Sequence, residues 1–222
     1  MSRHLQKDIE NLKNKIIQMG EIVEDRVYRA TLAIIKRDEQ MARDIIDHDN
    51  DIDVMEVEIE EDCLRILALH QPVAVDLRFI VTVMKINNEL ERVGDLAVNI
   101  AERGIFLAAQ SDVEVPFDIG GMALQAEGML TRSIDSLVNM DVPLAYRVRS
   151  EDDDVDAKNQ EMYSRIKDAI PKNPEHINYL LHALSVGRHL ERIADHATNI
   201  AEDVIYLIDA EIVRHTPETF QE

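Results

Sequence analysis

The chain has 222 residues, of which 45% are hydrophobic, 4% are aromatic and none is tryptophan. Seven glycines and six prolines are too few for a protein rich in strands and tight turns, so the composition predicts an all-α protein with an aliphatic core. The formal net charge of −20 disfavours binding to nucleic acid or to anionic lipid, which leaves basic protein surfaces and cations as expected partners.

Apolar residues at helical spacing predict three helices in the first half of the chain, over residues 5–36, 39–69 and 77–109. Pro72 ends the second of these helices, because it removes a backbone donor and restricts the residue before it. Asp76 is expected to cap the third helix.

The second half repeats this plan after a segment, residues 111–121, in which the helical period is lost. Three helices are predicted over residues 122–139, 142–171 and 176–210, with Asp141 as the cap of the middle one and Pro143 in its first turn. We therefore predict two tandem, pseudo-symmetric, antiparallel three-helix bundles, residues 1–110 and 122–222, joined by the linker 111–121.

One acidic segment occurs twice, one hundred residues apart: ERVGDLAVNIAE at 91–102 and ERIADHATNIAE at 191–202, with eight of twelve positions identical. At 100° per residue, the acids of each copy share one helix face and the asparagine flanks them. The residues concerned are Glu91, Asp95, Asn99 and Glu102 in the first copy, and Glu191, Asp195, Asn199 and Glu202 in the second.

Small residues run beside each acidic face: Gly94, Ala97 and Ala101 in the first copy. Because small residues let a neighbouring helix approach closely, we expect the acids to lie at the edge of a packed interface. The preceding helix adds a second acidic stripe, namely Asp49, Asp53, Glu56 and Glu60 in the first half, and Asp152, Asp156 and Asn159 in the second.

Carboxylates held together repel one another unless they are protonated or bridged by a cation. The pattern therefore predicts a cation site in each half, with oxygen ligands that suit magnesium, manganese, calcium or iron better than copper. The alternative is that both stripes are solvated helix faces with no ligand.

His182, His189 and His196 share a different side of the last helix with Ile193, Ile200 and Leu207. They point away from Glu191 and are too far apart along the helix to chelate one ion, so they predict a second packing face. That apolar face favours a homodimer, since a monomer would leave it uncovered.

Cellular location is predicted from three features of the sequence. Cys63 is the single cysteine, which excludes an internal disulfide and a thiolate metal cage. The N-terminal MSRHLQKDIENL is charged where a signal peptide needs an apolar run, and no uncharged apolar stretch approaches the ~18–20 residues of a membrane span. These features predict a cytoplasmic protein without direct membrane insertion.

With these motifs in view, the chain resembles the PhoU family of regulators of bacterial phosphate transport and phosphate signalling. The resemblance spans nearly the whole chain and includes MGEIVEDRV, QPVAVDLR at 71–78, and the paired ELERVGDLAVNIAE and HLERIADHATNIAE. It implies the same fold of two three-helix bundles and a non-enzymatic homodimer.

The resemblance also implies metal ions, among iron, manganese, magnesium and zinc, bound at the duplicated signature. By position, the implied ligands are Glu91, Asp95, Asn99, Glu102 and Asp53 in the first bundle, and Glu191, Asp195, Asn199, Glu202 and Asp156 in the second. Since Asn159 stands where the first half has Glu56, unequal metal occupancy is expected. The implied partners are the ATPase of the phosphate ABC transporter and the phosphate-sensing histidine kinase.

Two other functions are open to a carboxylate-rich helical protein. A ferritin-like metal-oxidising enzyme would use Glu-x-x-His pairs, and the duplicated segments contain none. A helical scaffold without a ligand is the other alternative, and failure to retain metal would favour it.

Overall fold

The structure is a computed structural model that describes residues 3–110 and 115–213, and within these ranges it is helical without β-strands. The first half forms four helices, which are α1 (Arg3–Lys36), α2 (Glu39–Asp47), α3 (Asn50–His70) and α4 (Ala74–Ala108). The second half forms α5 (Ile119–Asn139), α6 (Val142–Ala169) and α7 (Ile177–Asp209). Short 3-10 turns, Ile170–Lys172 and Pro174–His176, connect α6 to α7.

The helices form two bundles, which confirms the predicted fold class. Helix α4 packs on α1, α2 and α3, and α7 packs on α5 and α6. Buried aliphatic side chains of both halves make one continuous core, since α4 also packs along α7 and α1 along α5. Of the helices described, none combines the length and the apolarity needed to cross a bilayer.

Aspartate side chains cap the N-termini of three of the described helices, α2, α5 and α6. Asp141 accepts a hydrogen bond from the Leu144 backbone N–H at 2.9 Å, which confirms the predicted cap of α6. Asp118 accepts a hydrogen bond from the Gly121 backbone N–H at 2.8 Å and caps α5. Helix α5 therefore begins at Ile119 and not at residue 122. Of the predicted linker, residues 111–114 lie outside the described residues.

The prediction that Asp76 caps the third helix is wrong. Helix α4 begins at Ala74, after Val73 in an extended conformation, and Asp76 lies within its first turn. A carboxylate in the first turn still interacts favourably with the unpaired backbone N–H groups there.

The predicted single helix over 39–69 is also wrong, because the chain breaks at His48 and Asp49. Arg26 of α1, whose side chain is only 7% exposed, lies against this break. Its guanidinium donates to the carbonyl of His48 at 2.6 Å and to the carbonyl of Asp49 at 3.2 Å. The carbonyls at the break are therefore paired by a buried cation from another helix, which the local sequence does not reveal.

Helices α4 and α7 lie antiparallel and form the seam between the bundles. Arg78, near the start of α4, donates to the carbonyl of Leu207 near the end of α7 at 2.8 Å. At the other end of the seam the ring of Phe106 stacks on His182, with ring centroids 3.8 Å apart.

The three histidines of α7 lie along this seam, so the predicted second packing face is confirmed. In its middle, Nδ1 of His196 is 2.6 Å from a carboxylate oxygen of Glu89 on α4. Since α4 of the same chain covers this face, the face gives no support to a homodimer.

Replacing Arg26 with methionine removes the donor that pairs the carbonyls at the α2–α3 break. We expect the free energy of unfolding to fall by about 2 kcal/mol, because the lost hydrogen bonds came from a charged group. Arg29→Met is the matched control, since Arg29 is 37% exposed and pairs with Asp44 at the surface. Urea denaturation measures both; equal effects of the two changes would contradict a role for Arg26 in holding the break.

Candidate metal centres

The first cluster consists of Asp53 on α3 and of Glu91 and Asp95 on α4. Each contributes a carboxylate oxygen, and these oxygens lie within 4.8 Å of one another. Asp53 and Asp95 are exposed and Glu91 is half-buried, so the cluster opens to solvent on one side. Carboxylate oxygens gathered at this distance can coordinate one cation or bridge two.

The small residue at position 94 brings the two helices together. A Cβ atom on Gly94 would lie 2.8 Å from Cδ1 of Ile52, closer than carbon atoms approach without displacement. Ile52 is buried and immediately precedes Asp53, and Gly94 immediately precedes Asp95. The packing of Ile52 over Gly94 therefore sets Asp53 beside Asp95, and the predicted role of the small-residue flank is confirmed.

Burial and mutual repulsion destabilise the ionised form of these acids. The pKa of Asp95 is raised by partial desolvation of its carboxyl group and by the charge of Asp53. The pKa of Glu91 is raised by burial first, then by Asp95, Asp53 and Glu56, and only Arg92 opposes the rise. Among the described residues, no basic side chain forms an ion pair with these three acids, and a bound cation would neutralise them.

Two further acids extend the first cluster, Asp49 immediately before α3 and Glu56 within it. Burial and the charges of Asp53, Asp95 and Glu102 raise the pKa of Asp49, although Arg26 lowers it in part. Burial, Glu60 and Asp53 raise the pKa of Glu56. Both acids belong to the second acidic stripe of the sequence, which is the signal that places them here.

Asn99 and Glu102 lie beside the three-carboxylate group and have other contacts. The side-chain amide of Asn99 donates to the backbone carbonyl of Asp95 at 2.8 Å. Glu102 is 48% exposed and pairs with Arg103 at 3.2 Å. Its charge acts on Asp49, so it lies toward that end of the cluster.

The second cluster joins Glu191 and Asp195 of α7 to acids of α6. The pKa of Asp195 is raised to about 6 by burial and then by Glu191, Asp152 and Asp156. The pKa of Glu191 is raised by burial and by Asp156, whereas the charge of Arg188 and then a hydrogen bond from Asn159 lower it.

The second cluster is looser than the first. In the part of the chain that the structure describes, the close three-carboxylate arrangement is found for Asp53, Glu91 and Asp95 alone. Asn159 supplies a neutral amide to Glu191, and Thr198 donates to Asp152 at 3.1 Å. Two acids of the second half, Glu191 and Asp152, therefore accept hydrogen bonds from neutral side chains.

Asn199 and Glu202 contact groups outside the second cluster. The amide of Asn199 donates to Glu89 across the seam at 3.1 Å. Glu202 pairs with Arg149 at 3.2 Å, with both side chains about a tenth exposed (11% and 9%). Glu89 had no signal in the sequence, because its partners lie more than one hundred residues away.

Comparison with known proteins gives a family match over both halves. The model of the PhoU domain matches residues 16–104 and 119–204. A protein of Aquifex aeolicus named phosphate-specific transport system accessory protein PhoU homolog is 39% identical, covering 94% of this chain and 95% of the relative. A protein of the same name from Pseudomonas aeruginosa is 34% identical, covering 97% and 89%.

Two crystal structures share the fold. PhoU from Pseudomonas aeruginosa superposes with a TM-score of 0.89 at 34% identity, covering 93% of this chain and 99% of that one. The phosphate transport system regulatory protein PhoU from Streptococcus pneumoniae gives 0.86 at 28% identity, covering 94% and 99%.

The raised pKa of Asp195 predicts a pH dependence of stability in metal-free protein. A carboxyl group whose pKa rises on folding stabilises the fold below its unfolded pKa, and this stabilisation is lost as pH rises from about 4 through about 6. Asp195→Asn removes the group, so the variant should gain stability over the wild type between pH 4.5 and pH 7.5. The gain should be on the order of 1 kcal/mol after screening by solvent.

Urea denaturation of chelator-treated protein at the two pH values measures this gain. Asp154→Asn is the control, since Asp154 is exposed on the same helix as Asp156. A constant difference between Asp195→Asn and the wild type across this range would show that the acids of the second cluster do not repel one another.

Proposed function

The chain belongs to the PhoU family, and on that premise we propose that it is a non-catalytic regulator of phosphate homeostasis. It restrains phosphate uptake and the phosphate-starvation response by linking the ATPase of the phosphate ABC transporter to the phosphate-sensing histidine kinase. The observation that carries this proposal is the family match over both repeats, with relatives named as accessory proteins of phosphate-specific transport.

We propose that each repeat holds metal at its acidic cluster. Asp53, Glu91 and Asp95 are the ligands in the first repeat, and Asp156, Glu191 and Asp195 in the second. The donor set supports this, because it consists of carboxylates whose pKa is raised at four of these positions, Glu91, Asp95, Glu191 and Asp195. Iron, manganese, magnesium and zinc are the candidate ions, and carboxylate oxygens suit all four.

Asn99, Glu102, Asn199 and Glu202 are outer positions in this proposal. Each would need to leave its present hydrogen bond or ion pair before it became a ligand. We expect the first centre to bind more tightly, since Asn159 replaces a carboxylate in the second.

Metal would act by cancelling the repulsion between two helices of one bundle. A cation between Asp53 on α3 and Asp95 on α4 fixes how these helices lie against each other. Because α4 also packs on α7, the same ion influences the second bundle and the surface that the whole molecule presents. The proposed repeats are residues 1–110 and 122–222, with 111–121 as the linker between them.

The partners follow from charge as well as from the family. A net charge of −20 speeds encounters with basic patches on a transporter ATPase or on a kinase, both of which meet a regulator in the cytoplasm. A homodimer remains part of the proposal on the ground of family membership.

Metal should stabilise the fold. A cation that binds the native state and not the unfolded chain raises the melting temperature by mass action, by roughly 2–4 °C for each kcal/mol in a chain of this size. Added Mn²⁺ or Mg²⁺ should raise the midpoint of wild-type protein, and Asp95→Ala combined with Asp195→Ala should abolish the rise. A wild-type midpoint that is unchanged by metal and by chelator would count against both centres.

Loss of the proposed ligands should release the phosphate-starvation response. In cells whose only copy carries Glu91, Asp95, Glu191 and Asp195 changed to alanine, a starvation-promoter reporter should be active in high phosphate. The matched control replaces four exposed acids outside the clusters, Glu10, Glu61, Asp153 and Asp154, and so changes the net charge equally.

Protein level and circular dichroism are checked for both variants. A reporter that stays silent with an abundant, folded quadruple variant would remove the metal centres from the mechanism. A silent reporter in a strain that lacks the protein would remove the regulatory function itself.

A further inference from the structure

Helix α3 carries apolar residues on two opposite sides. Its inner side packs into the core, where Ile52, Ile59 and Ile66 are each at most 2% exposed. At 100° per residue, Val57 and Leu64 lie on the side that points away from these residues. A helix at the surface of a bundle needs only one apolar side, so the packing of this chain does not account for the second.

The outer side has the spacing of a coiled-coil seam. Its members alternate at intervals of three and four residues, and we call them the outer stripe: Val54, Val57, Glu61, Leu64 and Ala68. Every member is exposed, and the two valines and the leucine are exposed by half, at 50%, 50% and 51%. With this repeat, the apolar residues of one helix meet those of a second helix in a coiled coil. The outer stripe therefore presents such a seam to solvent.

The internal duplication supplies a comparison for α3. Helix α6 is its counterpart, with Asp156 in the place of Asp53. The buried positions of the two helices agree as well, each pair having the same separation along the chain: Ile52 with Val155, Ile59 with Met162, and Cys63 with Ile166. The inner side is therefore apolar in both repeats.

The outer side is apolar in the first repeat and not in the second. In place of three apolar members of the outer stripe, α6 has exposed residues that are small, polar or charged: Ala157 for Val54, Gln160 for Val57, and Lys167 for Leu64. Helix α6 thus packs in its bundle without an apolar outer side. The fold of a repeat does not require the outer stripe.

Acids border the outer stripe on both sides. The positions that flank the seam of a coiled coil hold Asp51 and Glu58 on one side, and Asp53 and Glu60 on the other. All four are exposed. Of these acids, only Asp53 is a proposed metal ligand, so the border stays acidic when metal is bound.

Two bases beside this border already have acidic partners. Lys15 of α1 pairs with Glu58 at 3.4 Å and with Asp62 at 2.8 Å. Arg65 of α3 pairs with Asp62 at 2.7 Å. Because Asp62 engages both bases, they leave the charge of the border negative.

A second copy of this chain is a poor occupant for the outer stripe. Two copies of α3 would bring the same acidic borders together, and like charges across a seam disfavour pairing. Glu61, inside the stripe, would face an acidic or an apolar position of the other copy. A helix with basic borders has neither defect, because its long side chains reach Glu61 as well as the acids of the border.

We propose that the outer stripe binds an amphipathic helix of another protein, with apolar residues along its seam and lysine or arginine on both borders. Burial of the half-exposed aliphatic side chains supplies the attraction, and the acidic borders select a basic partner. The net charge of −20 favours the same class of partner. The proposed function assigns no interface on the chain, and the outer stripe does not depend on which cellular protein supplies the helix.

Isothermal titration of full-length protein with a synthetic three-heptad peptide tests the proposal. The peptide has leucine at the seam positions and lysine at the flanking positions, so that it repels its own copies. Wild-type protein should bind one peptide per chain. Val57→Ser combined with Leu64→Ser keeps the charge and should weaken binding about tenfold or more, because two apolar side chains are no longer buried.

The matched control removes exposed apolar side chains from other helices. Leu124 on α5 and Leu181 on α7 are 73% and 47% exposed, and Leu124→Ser combined with Leu181→Ser should leave binding unchanged. Leu64→Gln alone is a second test variant, since glutamine and leucine have similar helix propensities, and it should weaken binding in the same direction. Circular dichroism and a thermal melt establish that each variant is folded.

Two further peptides separate the apolar contribution from the charge. A basic peptide with serine at the seam positions should bind weakly, and equal binding would show non-specific attraction to an acidic protein only. A peptide with leucine at the seam and glutamate at the flanking positions should not bind, and equal binding would remove the preference for a basic partner.

Three other results would overturn the proposal. They are no saturable binding of the basic leucine peptide, unchanged affinity in both outer-stripe variants, and equal loss in the control variant. Light scattering tests a second copy as the occupant: a wild-type dimer that Val57→Ser with Leu64→Ser converts to a monomer would assign the stripe to self-association and contradict the proposal. These results are independent of the starvation-promoter reporter, so failure of the docking surface and failure of the regulatory function are distinguishable.

Discussion

The packing of α4 against α7 is the constraint on which the rest of the structure depends. One side of each helix packs within its own bundle, and another side packs against the other bundle. Each helix also carries one copy of the acidic signature. A tightly packed interior does not let a helix turn without disturbing both sides. Whatever fixes the rotation of α4 relative to α3 therefore acts on the second repeat as well, which gives a duplicated fold a way to respond as one unit.

Apolar packing and carboxylate repulsion oppose each other at the first cluster. Ile52 over Gly94 brings Asp53 beside Asp95, and the raised pKa of Asp95 reflects the electrostatic cost. A structural surface would avoid this cost by separating the acids or by placing a lysine between them. The second repeat relieves part of it with Asn159, a neutral residue that hydrogen-bonds Glu191. This difference between the repeats is why we propose two centres of unequal affinity.

Much of this arrangement could be predicted from the sequence, because its cause is local. The helical spacing of apolar residues predicted the bundles, and Asp141 was correctly predicted as a helix cap. The small residues beside the acids, Gly94 among them, predicted the close helix contact that the structure contains. Two of the failures involve residues distant in the chain. Arg26 lies on α1 and binds the carbonyls at the break in the predicted second helix. Asn199 donates to Glu89 at a separation of 110 residues. A helical stripe indicates which residues share a face, but it does not indicate which partner that face meets.

The central claim is that the duplicated acidic segments bind cations, one centre in each repeat. Equilibrium dialysis of metal-free protein against Mn²⁺, followed by elemental analysis, tests it most directly in three proteins: the wild type, Glu91→Gln with Asp95→Asn, and Glu191→Gln with Asp195→Asn. We predict two classes of site in the wild type, loss of the tighter class in the first variant, and loss of the weaker class in the second. Equal metal content in all three proteins, or none in the wild type, would contradict the account.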